Sequence, residues 1–459
     1  MIQKKTAKTY EMDMCNGPLF SKLIVFAVPL ILSGILQLLF NAADIIVVGR
    51  FAGSHSLAAV GSTSSLINLL VNLFIGLSIG TNVLVAQFYG AQRMTDLKET
   101  VHTSILLAGI GGVVLIFVGF FLADPMLELM GTPQEVLDLA ALYMKIYFLG
   151  MPATLIYNFG SAILRAVGDT KRPLYFLLTA GIINVVLNMI FVIQFSMGVA
   201  GVALATAISQ FVSAALIIQC LARTDAPYRL EKRHLKMNGD KVKRIAQIGL
   251  PAGLQGMIFS ISNVLIQSSV NSFGSIAMAG NTASANIEGF VYTSMNAVYQ
   301  TALSFTSQNF GAKNYQRMTK ILIYCLGIVV MVGLVMGGGA VLAGHQLLGI
   351  YSSDPEVIAY GMDRLRIISG PYFLCGIMDV MVGALRGIGC SVVPMLVSLT
   401  GVCAFRVFWI FTIFAADRTL ETLYTSYPVS WTLTFTAHII CYIVIRRKMA
   451  KKIAMRKER

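Results

Sequence analysis

Residues 105–123 read Ile-Leu-Leu-Ala-Gly-Ile-Gly-Gly-Val-Val-Leu-Ile-Phe-Val-Gly-Phe-Phe-Leu-Ala, and residues 321–343 are as free of charge. A soluble helix needs only one apolar face; these runs are apolar all round. At 1.5 Å rise per residue, about 20 helical residues cross a hydrocarbon core roughly 30 Å thick. The rest of the chain agrees. Of its 459 residues 56% are hydrophobic and 12% charged, against about 25% charged in soluble proteins. Length alone would allow about three soluble domains, and composition excludes that. The expected fold is an all-α polytopic membrane protein.

Apolar stretches between turn signals give twelve transmembrane helices: 20–49, 55–87, 98–123, 134–164, 173–195, 199–222, 244–270, 276–308, 318–344, 356–386, 392–416 and 424–446. They divide the chain into a polar segment 1–19, an N-lobe 20–222, a basic linker 223–243, a C-lobe 244–446 and a basic tail 447–459. The N-terminus, alternate loops and tail hold 29 of the 35 Lys and Arg, and the opposite loops hold only Arg50 and Arg418. Lys145, Arg364, Arg366 and Arg406 fall inside spans. By the positive-inside rule both termini face the cytoplasm. The linker reads as a solvated connection that touches anionic lipid at most.

Net charge is +14, but it is spread through short inter-span clusters, so the expected partner is the lipid bilayer and not nucleic acid. The seven cysteines show no CxxC and no metal spacing. A polar start and a first span too long for an h-region argue against a cleaved signal peptide. No Walker motif, catalytic triad or paired catalytic carboxylates occur, so neither an ATP-driven pump nor an enzyme is expected, and no resident cofactor.

The chain also repeats itself. Gln87-Phe-Tyr-Gly90-Ala91 returns as Gln308-Asn-Phe-Gly311-Ala312, and Leu164-Arg165-Ala-Val-Gly168 returns as Leu385-Arg386-Gly-Ile-Gly389. Pro133-Gln-Glu-Val136 matches Pro355-Glu-Val357, and Pro29 matches Pro251. Four echoes in one order at nearly one offset imply two six-helix lobes in the same orientation. Such a parallel repeat occurs in transporters whose substrate site lies between the halves.

Pro29 followed by Asp44, the two Gln-x-x-Gly-Ala segments and Leu164-Arg-Ala-Val-Gly-Asp-Thr-Lys-Arg-Pro173 resemble the multidrug and toxic compound extrusion (MATE) family, most closely its bacterial DinF-like branch. The resemblance covers about 20–446. It implies a twelve-helix, two-lobed exporter of organic cations in exchange for H⁺ or Na⁺. In that branch an Asp in span 1, an Asn-x-x-x-Asp pair in span 5 and a Thr in span 6 line an N-lobe pocket. The matching residues here are Asp44, Asn184, Asn188 and Thr206. The second acid of the pattern is Asn188 in this chain, so one carboxylate and an amide stand where the family has two carboxylates. The span 7 Glu of the NorM branch has no counterpart, because 254–269 contains no acid.

Counting back from the outer span ends places Asp44 roughly 8 Å deep, Asn188 and Thr206 roughly 10 Å, Tyr143 roughly 14 Å and Asn184 roughly 16 Å. Asn184 and Asn188, at i and i+4, share a helix face. A carboxylate in lipid costs several kcal/mol unless paired, hydrated or protonated. Asp44 is therefore the expected exchanger of H⁺, Na⁺ and drug cation, with Asn184, Asn188 and Thr206 as further Na⁺ ligands. Pro29 removes a backbone hydrogen bond and is a candidate hinge. Tyr143, Glu288 and Arg406 are further candidate substrate- or ion-binding residues; Glu288 and Arg406 come out at similar depths and could pair, either as a structural tie or to recognise substrate charge or relay a proton, and Asp379 is expected near Arg386. The function these features suggest is a secondary active multidrug antiporter, monomeric, in the bacterial inner membrane. The alternative is a flippase for lipid-linked saccharides, which needs Arg and Lys along its path.

Overall fold

A computed structural model describes residues 10–457. The basic residues Lys4, Lys5, Lys8 and Arg459 lie outside this range. The helices are α1 (Leu19–Val47), α2 (Ser54–Gly90), α3 (Met94–Leu129), α4 (Gln134–Leu149), α5 (Met151–Ala166), α6 (Lys171–Asn188), α7 (Gly198–Arg223), α8 (Gly239–Asn271) and α9 (Ser275–Gly311). They continue with α10 (Tyr315–Leu342), α11 (Gly344–Gly349), α12 (Pro355–Arg364), α13 (Phe373–Gly387), α14 (Val392–Ser398), α15 (Phe405–Phe411), α16 (Ile413–Ala416) and α17 (Leu420–Lys457). No strand occurs among the described residues.

Among the described residues nine helical segments are long and apolar enough to cross a membrane alone, and two bent pairs raise the number to eleven. The twelfth span is α9, whose 37 residues are rich in Ser, Thr, Asn and Gln. The bent pairs are α4 with α5, at 48°, and α12 with its π-helical extension and α13, at 43°. Each break falls at a glycine with a proline close behind, Gly150 before Pro152 and Gly370 before Pro371. Proline cannot continue the hydrogen-bond ladder of the preceding turn. Four π-helical stretches, Val48–Ala52, Met189–Gln194, Leu365–Ser369 and Leu399–Ala404, lengthen other helices.

The chain forms two compact units. One runs through Ile67 and adds Ser78–Ala246 and Ser307–Arg317; the other holds Asn68–Leu77, Gln247–Thr306 and residues from Met318 onward. In the first unit α3 packs on α4 and α5, α7 on α4, α5 and α6, and α1 on α6. Buried positions of α7 are mostly small, including Gly201, Ala203, Ala205, Ala207, Ser209 and Ser213. Lipid competes equally for large apolar side chains, so close helix approach, not apolar burial, drives packing in a bilayer. Accordingly Phe117, Phe121 and Phe211 are exposed. In the second unit α13 packs along α17, which also carries α14 and α15.

Residues 10–17 form a strap within the first unit. Arg317 donates to the carbonyls of Met14, Asn16 and Gly17, each at 3.1 Å. Asn309 Nδ2 donates to Met14 O at 3.1 Å and Gln308 Oε1 accepts from Met14 N at 3.3 Å. A cavity of about 770 Å³ beside the strap is lined by Glu11, Cys15, Tyr89, Gln308 and Asn314. Beneath the strap the two repeated glycines meet: a Cβ on Gly90 would overlap the Gln308 carbonyl, and one on Gly311 the Gln87 carbonyl. The repeated Gln-x-x-Gly-Ala segment is thus a reciprocal helix crossing.

The linker departs from the expectation of a solvated connection. Tyr228 is fully buried, donating to Glu11 Oε1 at 2.7 Å and accepting from Arg172 at 3.3 Å. Glu231 N donates to His102 Nε2 at 3.0 Å, and Lys98 pairs with Glu231 at 3.0 Å. Aromatic bodies with polar tips dock the segment where charge alone would keep it in water.

Candidate functional site

Asp44 lies in the last turn of α1, just before the π-helical stretch at Val48–Ala52. Asn184 and Asn188 occupy one face at the end of α6, where the backbone again passes into a π-helical stretch at Met189. Such widened turns recur at functional sites in helices. Thr206 comes from α7 and Tyr143 from α4. All five belong to the first unit.

The side chains form one hydrogen-bonded chain. Asn188 Nδ2 donates to Asp44 Oδ1 and, at 3.2 Å, to Asn184 Oδ1. Asn184 Nδ2 donates to Thr206 Oγ1 at 3.3 Å. Asn188 and Asn184 are buried, whereas Asp44 and Thr206 are partly open. Asn188 Oδ1 is enclosed with no hydrogen-bond partner. Tyr143 is buried and stacks on Tyr147, ring centres 5.9 Å apart, both within electrostatic reach of Asp44. Tyr147 was missed by the sequence reading, although its i+4 spacing from Tyr143 placed it on the same face.

This donor set carries one formal negative charge and presents oxygens only: a carboxylate, amide carbonyls and a hydroxyl. It suits a proton or a hard monovalent cation. The unpartnered Asn188 Oδ1 is a ready ligand for Na⁺, or an acceptor for the proton of a neutral Asp44. Pro29 is buried inside α1, which continues through it, and its carbonyl accepts from Ser33 Oγ at 2.8 Å.

The second unit corrects one pairing. Glu288 on α9 does not pair with Arg406. Arg364, at the end of α12, holds it through two parallel bonds, Nε to Oε1 at 3.0 Å and Nη2 to Oε2 at 2.7 Å. Its third nitrogen donates to Asn281 Oδ1 at 2.7 Å, which also accepts from Tyr424 OH at 3.2 Å. Similar depth therefore did not mean lateral contact. The planar fork of Arg364 engages both oxygens of Glu288 and neutralises its charge. Arg364 is buried. Its signal in the sequence was its cost: an arginine inside a span calls for an acid partner.

Arg406 instead lies 3.9 Å over the Tyr427 ring and donates from Nε to Ser430 Oγ at 3.1 Å. Arg386 lies within electrostatic reach of Asp379, as expected, and donates to Tyr299 OH at 2.9 Å and Gln255 Oε1 at 2.8 Å. Lys145 is paired with Asp124 at 2.6 Å.

Among known proteins, the MatE family model matches twice, over residues 29–190 and 251–412. The probable multidrug resistance protein YoeA of Bacillus subtilis is 28% identical over 382 residues, 82% of each chain. The multidrug export protein MepA of Staphylococcus saprophyticus is 23% identical over 374 residues, 82% of this chain and 83% of its own. An outward-facing multidrug resistance MATE family transporter of the MOP superfamily superposes with a TM-score of 0.89 at 22% identity, covering 98% of this chain and 100% of its own. Two successive matches to one model, on a twelve-helix fold whose halves carry the same motifs, make this multi-pass membrane protein a member of the MatE family of transporters.

Proposed function

We propose that the protein is a multidrug efflux antiporter of the bacterial inner membrane, both termini cytoplasmic, exporting amphipathic organic cations in exchange for H⁺ or Na⁺. The observation that carries this reading is the chain Asp44–Asn188–Asn184–Thr206 with its enclosed, unpartnered Asn188 Oδ1. One buried negative charge balances one positive passenger. A drug cation and the coupling ion therefore compete for Asp44, and occupancy by either shifts which side of the membrane the site faces. Coupling needs only this difference in affinity between the two states. The names of the relatives support a drug as the outgoing passenger.

The flippase alternative needs free cations along a phosphate path. Arg364 is neutralised by Glu288 and Lys145 by Asp124, which takes two of the four in-span cations out of such a path.

The test is dye efflux from proteoliposomes under a pH or a Na⁺ gradient imposed one at a time. Wild type responds to one of them, and Asp44→Asn, still inserted in the membrane, responds to neither. Undiminished gradient-driven efflux by Asp44→Asn removes Asp44 from the mechanism, and wild-type efflux indifferent to both gradients removes antiport.

A further inference from the structure

Three arginines are buried in the second unit, and one stands apart. Arg364 is balanced by Glu288. Arg386 lies within electrostatic reach of Asp379 and uses two nitrogens on Tyr299 and Gln255. Arg406, only 4% exposed, has no Asp or Glu within ion-pair distance among the described residues. Leaving a buried guanidinium without a counter-ion is costly. The Tyr427 face offsets part of that cost by a cation–π contact. Of its five N–H groups, Nε is used on Ser430, and Nη1 and Nη2 donate to nothing among the described residues.

The surroundings are those of a site. Trp431, whose ring centre lies 5.8 Å from the guanidinium carbon, stacks on Tyr372 at 5.2 Å, and with Tyr427 it forms an aromatic wall. Ser262 meets the Cys403 thiol, which itself neighbours Arg406. A planar fork with two idle nitrogens matches a carboxylate, which accepts two parallel bonds. The aromatic wall matches a flat ring joined to that carboxylate.

Resting on the reading of the protein as a drug exporter, we propose that Arg406 is the anion subsite for the carboxylate of zwitterionic aromatic substrates. Arg406 is then the residue that sets specificity for that carboxylate.

A matched pair of dyes isolates the carboxylate: rhodamine B, a zwitterion, and its ethyl ester, a cation on the same ring system. Binding to the purified full chain in detergent is read by dye anisotropy. Arg406→Gln raises the Kd for rhodamine B about tenfold or more, the worth of a charge-assisted bond, and does not weaken the ester. Arg406→Lys, which keeps the charge but loses the fork, falls between. Unweakened ester binding also reports that each variant is folded. Equal losses for both dyes, or no loss for rhodamine B, overturn the assignment and leave the export reading standing. Wild type that binds neither dye overturns both.

Discussion

Asn188 spends its amide nitrogen on both Asp44 and Asn184 and keeps its carbonyl oxygen idle. It therefore orients the carboxylate and supplies a further ligand, two tasks that a second acid would perform with an extra charge. Asn188→Ala removes both. The expected result is efflux reduced about tenfold or more, because a hydrogen bond to a charged group is worth about 1.5–3 kcal/mol. Asn184→Ala, which reaches Asp44 only through Asn188, costs less. Vesicle efflux of a cationic dye measures both; an Asn188→Ala variant as active as wild type shows that the amide does not serve the carboxylate. The residues of this chain were legible in the sequence because they match the pattern of the family it resembles, and because a lone acid is expensive inside an apolar helix. What was not legible was their bonding. Depth along a helix follows from counting, but lateral neighbours depend on helix rotation, which is why Asp44 met Asn188 while Glu288 missed Arg406.

At the scale of elements, the Glu288–Arg364 pair ties α9 to the end of α12. Breaking such a pair by removing one partner leaves the other charge buried and costs about 3–5 kcal/mol, whereas replacing both by apolar side chains is often neutral. Glu288→Gln and Arg364→Met are each expected to lower the melting temperature in detergent by several degrees. The Glu288→Leu/Arg364→Met double variant should recover most of the loss. A double variant as unstable as the singles would show that the pair contributes net stability and does more than cancel two charges. Helix number and order were readable because each span writes itself as a long apolar run. The bends were written too, in Gly150-Met-Pro152 and Gly370-Pro371, but as turn chemistry inside an apolar background. The π-helical turns left no comparable mark: they insert one residue into a turn without changing hydropathy. Yet they follow Asp44, Asn188 and Arg364 and precede Arg406, the positions where polar groups must be aimed.

At the scale of the whole molecule, the repeat in the sequence reappears in the two family matches and in the reciprocal crossing at Gly90 and Gly311. Hydropathy could not reveal the strap of residues 10–17, because its hold is made of backbone carbonyls and distant polar side chains. Arg317 supplies three of those bonds. Cys15, inside the strap, reports on it: burial first, and then the Asp13 charge, push its thiol up to about 11. A free cysteine titrates near 8.5 and reacts as the thiolate, so at pH 8 the strapped thiol should alkylate roughly two orders of magnitude more slowly. Raising pH toward 11 speeds labelling of the closed strap, whereas opening the strap speeds it already at pH 8; because the Arg317 charge itself holds the thiol's pKa down, a faster rate in Arg317→Ala comes from opening and not from lost charge. In a variant whose only cysteine is Cys15, Arg317→Ala is expected to raise the rate of N-ethylmaleimide labelling at pH 8 at least about tenfold, toward that of a free thiol. An unchanged rate would mean that Gln308, Asn309 and Asn314 hold the strap without Arg317.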